Sequence, residues 1–195
     1  MGKIIKLGFV LLVITAVTGL ILGAVHTITL EPIRIAEARE KNEALAATLP
    51  GATEFKEMPL PEDHGIVTEI YEGSDGSNTV GYNFTVTPKG YGGLITIIVG
   101  IASDGRVMDI KILGHNETPG LGAKAVELPF SGQFTKKAVD KFVVTKLPPV
   151  ETAEIQAISG ATITSTAVVD GVNTAINCWK ENFAGKTAED QEEAE

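Results

Sequence analysis

From Leu7 to Val25 the chain reads LGFVLLVITAVTGLILGAV, without one charged residue, and no other stretch restricts its fold so strongly. At a rise of about 1.5 Å per residue a helix of this length covers roughly 28 Å, close to the hydrocarbon thickness of a bilayer. A helix pairs all its backbone groups internally and so can cross lipid, which predicts a single N-terminal span. A cleaved signal peptide fits less well, because its apolar part usually runs about 7–15 residues and no A-x-A pattern follows here. No cysteine lies near the end of the segment, which argues against a lipoprotein anchor. Gly8, Gly19 and Gly23 suit contact with a partner helix in the membrane. Lys3 and Lys6 precede the span while Arg34, Arg39 and Lys41 follow it, so basic residues alone do not orient it.

At 195 residues the chain has room for an anchor and one ordinary domain. The expected division is 1–29 for the N-terminus and span, 30–50 for a stalk helix opened by Glu31-Pro32 and ended by Pro50-Gly51, 51–186 for the domain, and 187–195 for an acidic tail. There are 25 Asp+Glu against 16 Lys+Arg, a net charge of -9, which repels phosphate backbones and sets nucleic acid aside as a partner. With only Cys178 present, the chain alone builds no disulfide and no iron–sulfur site, so redox chemistry would need an organic cofactor. Cys178 sits in an apolar-periodic segment and reads as a small buried hydrophobe.

Four segments rich in β-branched and aromatic residues, Gly65–Tyr71, Thr79–Thr87, Leu94–Ala102 and Val107–Leu113, predict strands. Ser103-Asp104-Gly105-Arg106 makes the last two an antiparallel hairpin. Gly73–Asn78 reads as a turn rather than a calcium loop. From near Ser165, the residues Val168, Val172, Ala175, Ile176, Trp179 and Phe183 recur with helical spacing and predict an amphipathic helix packed on the sheet. The fold class is therefore α+β, an antiparallel sheet with packed helices behind one transmembrane helix.

The segment Ile158-Ser159-Gly160-Ala161-Thr162-Ile163-Thr164-Ser165-Thr166 puts five hydroxyl residues and a glycine at the start of that helix, where free N–H groups and the helix dipole favour an anion. Read from composition alone, an ordinary Ser/Thr N-cap is the simpler account. In Glu117-Thr118-Pro119-Gly120-Leu121-Gly122-Ala123-Lys124, Pro119-Gly120 predicts a tight turn, Gly122 permits close backbone approach, and Leu121 is free to cover a ring. A loop capping a helix that starts near Gly122 accounts for the same residues. Tyr91-Gly92-Gly93 is a weaker candidate for a flavin contact and equally a strand entry. His115, with His26 and His64, shows no metal-ligand spacing, and no metal is expected.

Taken in order, SGAT before a long helix and ETPGLG resemble the signatures of the FMN-binding domain family. Within it they are similar to the G subunit of Rnf electron-transport complexes and to the related C subunit of sodium-pumping NADH:quinone oxidoreductase. The compact domain after the span favours the Rnf type. The resemblance implies FMN held through a phosphoester to Thr162, made by a separate flavin transferase. It further implies that Ser159, Gly160, Ala161, Thr164 and Ser165 surround the phosphate, while Glu117, Thr118, Gly120, Leu121, Gly122 and Lys124 meet the ring and ribityl chain. Gln156 stands where the family signature has Asp. The implied role is electron relay between Rnf subunits, with the domain outside the cytoplasmic membrane. Two rivals are a membrane-tethered binding or assembly protein without flavin, and a freestanding envelope flavin reductase; only the first would be colourless.

Overall fold

The computed structural model describes residues 2–62 and 64–185; the acidic tail anticipated at 187–195 lies outside them. By internal contacts the chain divides after Lys41. Helix α1, Gly2–Thr48, holds the apolar stretch, and its most apolar 18-residue window has a mean hydropathy of 2.5 and none of its residues buried within the protein. Its threonines return their hydroxyls to the backbone one turn earlier, Thr18 to the Ile14 carbonyl at 2.8 Å and Thr27 to the Gly23 carbonyl at 2.9 Å. This leaves no hydroxyl proton unpaired in apolar surroundings. Pro32, expected to open a separate stalk helix, lies inside α1. A proline lacks one N–H, and the long run of helix formers on either side carries the helix past that missing bond.

The second unit begins at Asn42. Its main sheet is a five-stranded antiparallel meander, β1 (Glu54–Met58), β2 (Val67–Ser74), β3 (Thr79–Val86), β4 (Thr96–Ala102) and β5 (Val107–Gly114), in that spatial order. The anticipated hairpin is β4–β5, with Ile101 opposite Val107. In the β2–β3 turn Asp75 Oδ1 accepts the N–H groups of Ser77 and Asn78, and those bonds hold its carboxyl below the usual range. Strand β1 escapes the sequence pattern because EFKEM is short and mostly exposed, as an edge strand is.

Helix α3 (Thr162–Asn182) covers one face of the sheet. Its predicted stripe, Val168 to Phe183, is buried against Phe84, Ile97, Val99 and Ile101. Alternation along β4 sends Ile98 to the opposite face, where Ala44 and Leu45 from the last turns of α1 pack on it. Gly73, Gly81 and Gly100 make that close approach possible: a Cβ at Gly73 would meet the Leu49 side chain, and one at Gly100 would overlap the Thr48 carbonyl. Fully buried Asn83 fastens the contact, its amide donating to the Leu45 carbonyl at 3.2 Å and its oxygen 2.8 Å from the Thr48 hydroxyl.

Between β5 and α3 come a 3-10 turn at Gly122–Val126, where a helix was expected, the short helix α2 (Leu128–Ser131), and a parallel pair, β6 (Val143–Thr145) with β7 (Glu154–Gln156). Asn173 of α3 ties this segment down by taking the Phe142 N–H at 2.8 Å and donating to the Phe142 carbonyl at 3.0 Å. Replacing Asn173 with alanine leaves two buried backbone groups unpaired, and should lower stability by about 1–3 kcal/mol in chemical denaturation. Cys178 is buried, and burial pushes its thiol upward.

Candidate functional site

Two turns of one type build a cleft. In Thr118–Leu121 the Leu121 N–H donates to the Thr118 carbonyl at 3.1 Å, with Gly120 in the third position at φ +79. In Ile158–Ala161 the Ala161 N–H donates to the Ile158 carbonyl at 2.9 Å, with Gly160 in the third position at φ +77. Both follow the type II pattern, whose third residue needs a positive φ that glycine adopts without steric cost. The turns meet where Leu121 packs on Gly160, so closely that a Cβ there would lie 3.2 Å from Leu121 Cδ2.

Helix α3 starts one turn earlier than its apolar stripe suggests, with Ala161 as N-cap and no side-chain cap. This displaces the simple Ser/Thr-cap account. The first N–H of this region returned to the turn is that of Ser165, which donates to the Ala161 carbonyl at 3.0 Å. Those of Thr162, Ile163 and Thr164 have no backbone acceptor among the described residues, so they and the positive end of the helix dipole are open to an anion. Thr162 is exposed at this point, and its hydroxyl has no hydrogen-bond partner among the described residues.

Two of the neighbouring hydroxyls are committed. Ser165 is fully buried, donating to the Ala161 carbonyl at 3.0 Å and accepting the Ile158 N–H at 2.9 Å; it staples the turn to the helix and does not line the cleft. Thr164, also buried, donates to Glu117 Oε2 at 2.6 Å. Glu117 Oε1 accepts the Gly92 N–H at 2.9 Å, so one buried carboxylate joins the Tyr91 loop, the first turn and α3. Glycines crowd it, and a Cβ on Gly90 or on Gly122 would overlap its oxygens.

The cleft encloses about 610 Å3, lined by Tyr91, Glu117, Thr118, Leu121, Gly122 and residues 160–164, within the range of about 300–1,000 Å3 usual for small-molecule sites. Its polar end is the uncapped helix start. Tyr91, Leu121 and Ile163 supply exposed apolar surface. These features fit a flat ring with a phosphate tail. Eight of the twelve expected residues meet here: Glu117, Thr118, Leu121, Gly122, Gly160, Ala161, Thr162 and Thr164. Ser159 and Lys124 instead line a separate hollow of about 250 Å3 with Gln133 and Gln156, and Gly120 shapes its turn without joining the cleft lining. Ile163 was missed by sequence reasoning, and only its place in the first turn of α3, between Thr162 and Thr164, could have marked it.

Residues 90–177 match the family model of the FMN-binding domain, so this part of the chain, which holds every residue lining the cleft, is an FMN-binding domain. The chain is 37% identical over 160 residues to the G subunit of the proton-translocating ferredoxin:NAD(+) oxidoreductase complex of Clostridium ljungdahlii, covering 82% of this chain and 83% of that one. It is 37% identical over 191 residues to the G subunit of the Na(+)-translocating ferredoxin:NAD(+) oxidoreductase complex of Acetobacterium woodii, covering 91% and 92%. This chain therefore belongs to the family of G subunits of ion-translocating ferredoxin:NAD(+) oxidoreductase complexes. The fold is shared with the C subunit of the Na(+)-translocating NADH-quinone reductase of Parabacteroides distasonis, with a TM-score of 0.51 and 21% identity, covering 61% of this chain and 63% of that one.

Proposed function

We propose that this chain is the membrane-anchored flavin carrier of an ion-translocating ferredoxin:NAD(+) oxidoreductase, with one FMN esterified through its phosphate to Thr162. The observation that carries this reading is the uncapped start of α3 at the cleft, where the exposed Thr162 hydroxyl stands beside unpaired N–H groups. Those N–H groups would bind the phosphate oxygens, and the apolar surface of Tyr91, Leu121 and Ile163 would hold the ring.

No base is hydrogen-bonded to the Thr162 hydroxyl among the described residues, which supports installation of the ester by a separate transferase. The donor must be FMN activated as a phosphoanhydride. The Thr162 oxygen attacks the flavin-side phosphorus, the P–O bond to the other half of the anhydride breaks, and the hydroxyl proton passes to a base of the transferase. Once attached, FMN supplies reversible electron acceptance, and the chain's part is to hold it, exclude competing ligands and present one edge to neighbouring subunits. Residues 51–186 form the flavin domain on this reading, Leu7–Val25 cross the cytoplasmic membrane, and the domain faces away from the cytoplasm. There a covalent tether prevents loss of a cofactor that could not readily be replaced.

Expression with a flavin transferase followed by intact-mass measurement tests the proposal. One esterified FMN per chain is expected, and an unmodified, colourless product would rule it out.

A further inference from the structure

Glu117 was expected among the flavin contacts, yet its geometry suits a different task. Both oxygens accept hydrogen bonds, from the Gly92 N–H at 2.9 Å and the Thr164 hydroxyl at 2.6 Å. The side chain is buried and forms no ion pair among the described residues. The nearby His115 ring is occupied with the backbone, Nδ1 accepting the Glu117 N–H at 3.2 Å. The carboxylate thus lines the cleft held by neutral donors, with no cationic side chain paired to it among the described residues.

Resting on the flavin reading above, we propose that Glu117 is a positioning residue that lowers the reduction potential of the bound flavin and fixes Thr164 as an acceptor toward the cleft. Reduction adds negative charge to the cofactor, and a like charge in low-dielectric surroundings opposes it. Because the single Thr164 proton points to Glu117, the Thr164 oxygen faces ligand only through its lone pairs. It therefore suits a ribityl hydroxyl or a ring N–H and would repel a phosphate oxygen. The phosphate contacts then fall to the backbone N–H groups at the start of α3. Gly90 and Gly122 leave the carboxylate its space, since a side chain at either would displace it.

The test compares full-length, flavin-loaded wild type with Glu117→Gln and Glu117→Asp. Intact mass establishes loading, and the midpoint potential is read spectroscopically, with electrons from dithionite, itself oxidised to sulfite, reducing the flavin. Glu117→Gln should carry the same adduct and titrate at a more positive potential, while Glu117→Asp, which keeps the charge, should stay near wild type. An unchanged potential in the Gln variant, an Asp variant displaced as far as Gln, or a Gln variant that takes up no flavin would each overturn the inference. Wild type without flavin would instead overturn the functional reading on which it rests.

Discussion

Thr162→Val is expected to abolish covalent flavin completely while leaving the fold intact. Valine has nearly the shape of threonine and the same branching at Cβ, so the first residue of α3 keeps its backbone preference. Thr162 is exposed and its hydroxyl holds nothing among the described residues; such surface changes usually stay within about 0.5 kcal/mol. What disappears is the nucleophilic oxygen. Thr162→Ser restores an oxygen there and should restore the adduct. The adjacent buried hydroxyls do not substitute, because Thr164 is committed to Glu117 and Ser165 to the turn below it. Denaturing-gel fluorescence and intact mass, both after expression with the transferase, read the result. An adduct of unchanged yield on the valine variant would place the linkage on another residue.

The two segments that make the cleft were legible because their chemistry is local. A Pro-Gly pair fixes one turn, a glycine fixes the other, and hydroxyls gather at the helix start in consecutive residues. The stripe from Val168 to Phe183 was equally readable, since helical spacing and a single buried face coincide. What the sequence hid depends on pairings between distant residues. Glu117 and Thr164 are 47 positions apart, and neither residue type announces that the carboxylate will turn inward to a hydroxyl and an N–H. Ser165 resembled a ligand by its neighbours, yet tertiary folding gave its hydroxyl to the Ile158–Ala161 turn. Strands β6 and β7, three residues each and paired in parallel across a loop, are too short for periodicity to reveal.

The glycines under the last turns of α1 show the same dependence on distant contacts, and Gly100→Ala should be among the most damaging single methyl additions in the domain. Its Cβ would overlap the Thr48 carbonyl oxygen and lie 2.6 Å from the carbonyl carbon, so the obstacle is backbone and not a side chain able to rotate away. Relief requires the end of α1 to lift from the sheet, which also strains the Asn83 bonds to Leu45 and Thr48 and loosens Ala44 and Leu45 over Ile98. Overpacking of this kind with loss of buried hydrogen bonds should cost about 3–5 kcal/mol, a large share of the roughly 5–15 kcal/mol that holds a domain together. At about 2–4 °C per kcal/mol for a domain of this size, thermal unfolding should come roughly 6–20 °C earlier. Trp179, the single tryptophan of the chain and a buried one, reports the transition by fluorescence. Gly114→Ala is the matched control, because a Cβ at Gly114 meets nothing within 4 Å, and its midpoint should stay close to wild type. Equal midpoints for the two variants would mean that the α1 end is not seated on the sheet through Gly100.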